Sequence, residues 1–111
     1  MSCMWFKKTN KMIAKIHKTH EGKFVLAVCD SDIIGKCYEE GEKQLDLSCD
    51  FYKGKEKTEE EVILLMKKVN IVNLCGNKSV QIGVKAGLID KDNIIKISGI
   101  PHAEGVILRE G

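Results

Sequence analysis

The stretch "NIVNLCGNKSVQIGVKAGLI", residues 70–89, carries the local signals that decide the fold. The apolar run over residues 71–75 predicts a strand, and Gly76 predicts a sharp turn after it. Apolar residues at helical spacing then predict a helix over residues 78–86, with Asn77 as its cap. This strand–turn–helix unit indicates a domain that combines strands with helices.

A second helix is predicted upstream, over residues 58–69. Thr58 and Glu61 have the spacing of a capping box at its start. An apolar stripe follows at helical spacing, and two further apolar residues widen it, so we expect this helix to be covered on more than one side. The stripe comprises Val62, Leu65, Met66 and Val69, and the widening residues are Ile63 and Leu64.

Strands are predicted at both ends of the chain. Residues 12–18 alternate, Gly22 supplies a tight turn, and "FVLAVC", residues 24–29, is apolar on both faces, as in a central covered strand. Near the C-terminus, two apolar strands flank a wide loop over residues 98–104. Pro101 fixes φ and stiffens this loop, which would hold His102.

The middle of the chain is more irregular. Asp30 is predicted to cap a single helical turn that ends at Gly35, with short strands over residues 36–39 and 43–48. Residues 51–54 predict a turn with two aromatics, followed by a charged loop. The expected fold class is α/β (α+β), in a single compact domain over residues 12–111. The domain should contain a mixed sheet with an N-terminal β-hairpin, two main helices and a C-terminal β-hairpin.

Residues 1–11 show no periodicity and are predicted to form a flexible N-terminal extension. The chain has no apolar run of the roughly 20 residues that a membrane span needs, and its start lacks the pattern of a signal peptide. We therefore expect a cytoplasmic protein with no membrane association. Abundant lysine, glutamate and isoleucine favour a thermophilic source.

Charge is unevenly distributed along the sequence. Residues 1–29 carry six lysines against one glutamate, whereas residues 30–61 carry eleven acids against five lysines. The basic first segment is a candidate contact for a polyanion, and a solvated hairpin facing its acidic neighbour is the alternative that we favour. Arg109 is the only arginine, and this disfavours base-specific reading of DNA.

The five cysteines are widely spaced and form no C-x-x-C pair. This pattern predicts free, mostly buried thiols, with neither a metal site nor a cofactor. Cys29 and Asp30 nevertheless stand at the end of a predicted strand, where α/β proteins often place site residues. His102 is the available base, so a small hydrolase or transferase using these three residues is one alternative, and a buried thiol beside a helix cap is the other.

The junction at Gly76 offers a second candidate site. Backbone N–H groups at a helix start favour anions such as phosphate, and Lys78 would add charge, although most such turns only connect elements. Phe51 and Tyr52 would stack bases if they were exposed, or would pack into their turn.

The segments "KIHKTHEGKFVLAVCDSDIIGKCYEEG", "FYKG", "NIVNLCG", "GLID" and "SGIPHA" resemble a small archaeal family of uncharacterised proteins. This family is catalogued as domain of unknown function four-two-four. The resemblance covers nearly all of residues 12–108, implies one α/β domain in the cytoplasm and favours a link to RNA or the translation machinery. Its shared positions are Cys29, Asp30, Gly35, Lys36, Asn73, Gly76, Pro101 and His102. Backbone geometry does not explain Lys36, Asn73 or His102, so these are the functional candidates that the resemblance implies.

The leading hypothesis is a non-catalytic domain that binds RNA or a ribonucleoprotein. Lysines of the first hairpin, Lys15 and Lys18, would contact phosphates, with Lys36, Asn73, Gly76, Lys78 and His102 near the contact. This hypothesis requires that these residues meet on one surface. A protein–protein adaptor or dimerisation module is the third alternative, and the sequence leaves monomer and homodimer open.

Overall fold

The computed structural model of the chain describes residues 11–107, which form one globule of strands and two α-helices. The predicted extension over residues 1–11 lies outside this part, apart from Lys11, which begins the first strand. The strands are β1 (Lys11–Lys18), β2 (Phe24–Asp30), β3 (Cys37–Glu40), β4 (Lys43–Asp46), β5 (Lys55–Thr58), β6 (Ile71–Cys75), β7 (Ile95–Ile97) and β8 (Ile100–Val106). Helix α1 (Glu59–Met66) precedes β6, and α2 (Asn77–Lys85) follows it.

The main sheet is mixed and has the strand order β5-β1-β2-β6-β8-β7. Its one parallel pair is β2 with β6, and the other neighbours are antiparallel. Most of β2 is buried, because β2 and β6 occupy the middle of the sheet and both faces are covered. This architecture confirms the predicted mixed sheet with two helices and a hairpin at each end.

Both helices pack on one face of the sheet, which we call the helix face. Thr58 and Glu61 form the predicted capping box, and Val62, Met66 and Val69 are buried in the core beneath. Leu64, however, is 57% exposed. The prediction that α1 is covered along its widened apolar stripe is therefore wrong for this residue. The sheet contributes Met12, Ala14, Leu26, Val28, Val72, Leu74 and Ala103 to the same core.

The opposite face, which we call the hairpin face, is covered by residues 30–54. The β3–β4 hairpin and a 3-10 turn at Asp50–Tyr52 lie over it. Leu45, Leu47 and Tyr52 pack on small sheet residues of this face, which are Ala27, Cys29 and Cys75. The sheet therefore lies between two unlike layers, one helical and one built from a hairpin and turns.

The C-terminal hairpin is tighter than predicted. Ser98 and Gly99 have φ values of 51° and 82°, and positive φ at both central residues is what a two-residue type I′ turn requires. As a result β8 starts at Ile100, and Pro101 and His102 lie inside a strand. The prediction of a wide loop holding His102 is therefore wrong.

A strand also replaces the charged loop predicted after Gly54. β5 pairs with the first half of β1, and it forms one edge of the sheet. Gly54 permits this approach, because a Cβ atom there would lie 2.0 Å from the carbonyl oxygen of Ala14. A run of lysines is thereby held against an ordered strand.

Candidate functional site

Two cysteines and a histidine are neighbours across the hairpin face. In the strand register Cys29 is opposite Cys75, and Cys75 is opposite His102. The Cys75 Sγ lies 3.2 Å from the His102 Nδ1, whereas the Cys29 thiol points to the carbonyl oxygen of Asp30 at 3.4 Å. The predicted pairing of Cys29 with His102 is therefore wrong, since Cys75 stands between them.

Burial leaves both thiols poorly suited to nucleophilic chemistry. Cys29 and Cys75 are fully buried. Desolvation raises the pKa of Cys75 to about 12, and it raises the pKa of Cys29 well above its usual range. Because the thiolate is the nucleophile, these two side chains stay protonated and unreactive near neutral pH. The geometry thus argues against the catalytic role proposed for Cys29.

A chain of hydrogen bonds joins this row to the 3-10 turn above it. The Cys75 thiol donates to the Tyr52 hydroxyl at 3.2 Å, which donates to the Asn73 Oδ1 at 2.5 Å. The Asn73 amide then donates to Glu104 at 2.9 Å. Both polar atoms of the Asn73 side chain are therefore engaged: Oδ1 holds Tyr52 on the sheet, and the amide nitrogen binds Glu104.

Asp30 fills the helix start that was predicted to bind an anion. Its carboxylate accepts hydrogen bonds from the Lys78 N–H at 2.9 Å, the Ser79 N–H at 2.8 Å and the Ser79 hydroxyl at 2.7 Å. Gly76 has a φ of 103°, and a Cβ there would lie 2.4 Å from the Asp30 Cγ. The Asp30 carboxylate therefore caps α2. Asn77 is not the cap, and the Asp30 side chain does not cap the turn that follows it in the sequence.

The predicted binding residues do not meet on one surface. Lys15 and Asn73 are in register with Ala27 on the hairpin face, and His102 shares that face. Lys18 pairs with Phe24 on the helix face, and its ammonium lies 5.8 Å from the Phe24 ring centroid.

The other two predicted lysines are apart from this row. Lys36 is exposed in the loop before β3, and Lys78 is exposed on α2. The single convergent surface that the hypothesis required is therefore not present, and the correction follows from side-chain alternation along the strands.

A different concentration of lysines surrounds a groove at the β5 edge of the sheet. The groove encloses about 480 Å³ beside β1, β5 and α1. Lys53, Lys55 and Lys57 surround it, and Ala14, Lys15, Ile16, Gly54 and Leu65 complete its lining, although the Lys15 ammonium donates to the Asp50 carbonyl oxygen at 3.1 Å on the hairpin face. We call this site the lysine groove. Of these lysines the predictions named only Lys15, although the run "KGKEK" at residues 53–57 was a signal.

Among residues 11–107, no close ion pair neutralises the lysines of β5, the outer strand of the lysine groove. Within residues 11–107, Lys55 and Lys57 have no carboxylate within 4 Å, whereas Lys53 lies 3.5 Å from Asp50. The pKa of Glu61 is lowered, first by the hydrogen bond from the Thr58 N–H and further by the charge of Lys57. The Lys57 charge is therefore partly balanced, and Lys55 is free to meet an anion.

The aromatic residues near the 3-10 turn are already stacked or buried. Tyr52 is buried, and Phe51 stacks on His17 with ring centroids 4.5 Å apart. Of the two alternatives for these residues, packing into the turn is therefore the one observed for Tyr52, and one face of Phe51 is covered by His17. Phe24, which the predictions passed over, is 39% exposed on the helix face.

Residues 11–107 lack two further features. No group of three or more His, Cys, Asp and Glu side chains in this part of the chain is arranged to hold a metal ion. No helix there has the length and apolar character needed to cross a membrane.

Comparison with known proteins places the chain in a family. The family model described as "Protein of unknown function (DUF424)" matches residues 17–108. A crystal structure of an uncharacterised conserved protein from Methanopyrus kandleri is similar, with 26% identity, a TM-score of 0.73, and coverage of 91% of this chain and 96% of that one. None of the curated proteins matches. The resemblance to the archaeal family is thus confirmed, and the chain belongs to the family of proteins of unknown function DUF424.

Proposed function

We propose that this protein is a non-catalytic RNA-binding domain and that the lysine groove is its contact with the phosphate backbone. The observation that carries the proposal is the concentration of Lys53, Lys55 and Lys57 around an open groove with an apolar lining. Lysine ammonium groups bind phosphates as point charges without reading sequence. Such a site suits an accessory domain whose specificity comes from elsewhere in a ribonucleoprotein.

The geometry of β5 supports this assignment. Lys55 and Lys57 are two residues apart on one strand, so their Cα atoms are about 7 Å apart and both side chains leave the same face. This spacing is close to that of neighbouring phosphates in an extended nucleic-acid strand. Two consecutive phosphates can therefore be neutralised by one rigid element, which limits the side-chain entropy lost on binding.

The enzyme alternative has less support. The Cys75–His102 contact is the only cysteine–histidine contact in the described residues, and its thiol is fully buried with a pKa of about 12. A nucleophile needs both access and a populated thiolate. The hydrogen-bonded row on the hairpin face instead fastens the 3-10 turn to the sheet.

Salt dependence of RNA binding tests the proposal. Fluorescence anisotropy with a labelled, unstructured RNA of about ten nucleotides should give micromolar affinity at low salt. If Lys53, Lys55 and Lys57 each neutralise one phosphate, the slope of log K against log salt is about −2.1, and affinity falls about eighteenfold between 50 and 200 mM salt. The double variant Lys55→Gln/Lys57→Gln should show a slope of about −0.7 and a fall of only about threefold.

A matched control removes the same charge from the opposite edge of the sheet. Lys91 and Lys96 are exposed lysines near β7, which is the edge strand farthest from β5. The double variant Lys91→Gln/Lys96→Gln should keep the wild-type slope. Absence of wild-type binding at low salt, or an equal loss of slope in the two double variants, would overturn the proposed function.

A further inference from the structure

We infer that the RNA taken by the lysine groove is single-stranded, with unstacked bases lying on an apolar strip of the helix face. This inference rests on the proposed function and names the form of RNA that the site accepts. The strip consists of Ile16, Leu65 and Phe24. It begins in the groove and continues along β1 and β2 beyond α1.

The strip exists because the helix layer leaves the hairpin end of β1 and β2 uncovered. Ile16 is 42% exposed and Phe24 is 39% exposed, although both belong to the face that α1 and α2 otherwise cover. In the register of β1 with β2, Ile16 pairs with Leu26 and Lys18 pairs with Phe24. The two exposed side chains are therefore near neighbours on one face, and Ile16 also lines the groove.

Charge accompanies the apolar strip along its length. Lys55 and Lys57 flank the end at the groove, and the Lys18 ammonium lies 5.8 Å from the Phe24 ring centroid at the other end. A phosphate bound to Lys18 would hold its adjacent base at the Phe24 ring. Alternating cationic and apolar or aromatic contacts of this kind are typical of single-strand binding without sequence preference.

A duplex cannot use this combination. Its phosphates face outward and its bases are paired and stacked inside, so only the lysines would contribute to binding. An unpaired strand offers both phosphates and base faces, and the groove volume of about 480 Å³ falls within the range of small-molecule sites. Single strands should therefore bind more tightly than duplexes of equal length at equal salt.

The test compares a labelled U-rich RNA of about ten nucleotides with a blunt RNA duplex of that length, in the wild type and in Phe24→Ala. We expect the single strand to bind about tenfold more tightly than the duplex, and Phe24→Ala to weaken single-strand binding about tenfold without changing the salt slope. Phe24→Tyr keeps the ring and should restore the affinity. Val106→Ala truncates an apolar residue that is 69% exposed on the hairpin face, and it should change nothing.

The outcomes separate this inference from the proposed function. Suppose that Lys55→Gln/Lys57→Gln lowers the slope, but Phe24→Ala binds like the wild type or the duplex binds as tightly as the single strand. The site then contacts phosphates only, and this inference is overturned while the proposed function stands. If the wild type binds neither RNA, both proposals fail. Should Phe24→Ala fail to fold, Phe24→Leu keeps the apolar contact without a ring face and should show the same loss.

Discussion

Replacing Asp30 by alanine should destabilise the protein severely, because this carboxylate caps α2 from a distant strand. Asp30 is 6% exposed and Ser79 is fully buried. The substitution removes three hydrogen bonds, from the Lys78 N–H, the Ser79 N–H and the Ser79 hydroxyl. Lys78 is at the surface, where water can replace its partner, but the two Ser79 donors would be left unsatisfied.

The magnitude follows from these contacts. Loss of a helix cap costs about 1 kcal/mol, and each buried donor left without a partner costs about 1–3 kcal/mol. We therefore expect Asp30→Ala to lower the free energy of unfolding by about 3 kcal/mol. Asp30→Asn keeps the shape and one acceptor oxygen but loses the favourable charge at the helix start, so it should cost about 1.5 kcal/mol. Ser79→Ala should cost about 1 kcal/mol.

Urea denaturation followed by circular dichroism measures these changes, with Asp32→Ala as the control. Asp32 is an exposed carboxylate in the same loop, and its removal should cost less than about 0.5 kcal/mol. Equal m-values across the set would show that the unfolded state is unchanged. If Asp30→Ala is no less stable than Asp32→Ala, the non-local cap is not what holds the start of α2.

Two further predictions concern the buried side chains of the hairpin face. In the native protein a thiol reagent should label Cys37 and Cys49, which are exposed, and it should label Cys29 and Cys75 only in denaturant. Peptide mass spectrometry identifies the labelled cysteines. Rapid labelling of Cys75 in the native protein would contradict the burial argument. Folding raises the pKa of the Cys29, Cys75 and Tyr52 side chains by desolvation, so the folded state retains protons that the unfolded chain releases. Their contribution to stability is complete below about pH 9 and is lost as pH rises towards 12. Each thiol should remove about 1 kcal/mol between pH 9 and 10, and Cys75→Ala should show a shallower alkaline loss in urea melts. An equally steep loss in that variant would refute this reasoning.

The sequence predicts the elements whose signals are local. The Thr58–Glu61 capping box and the apolar strand ending at Cys75 are both read from neighbouring residues, and both are present. β5 was missed because "KEKT" has no apolar alternation. It becomes a strand only because Gly54 lets it approach β1, which is a tertiary effect.

The site was harder to predict, because its contacts join residues far apart in the chain. Asp30 has the composition of a local helix cap, yet it caps a helix 48 residues away at Lys78. His102 was assigned to a loop since Pro101 suggested one, whereas the positive φ of Ser98 closes the turn earlier. Lys15 and Lys18 lie on opposite faces of the sheet, and this depends on strand register and side-chain alternation, which single motifs do not report.

Nuclear magnetic resonance titration with the U-rich RNA tests most directly whether the lysine groove is the binding surface. In ¹⁵N–¹H spectra recorded at low salt, we expect the largest shift changes at the amides of Ile16, residues 54–57 and Leu65, with smaller changes at Phe24. The Lys55→Gln/Lys57→Gln variant should lose these changes while keeping a folded spectrum. Largest changes around Lys36, Lys78 or His102, or a spectrum that RNA leaves unaltered, would contradict the account.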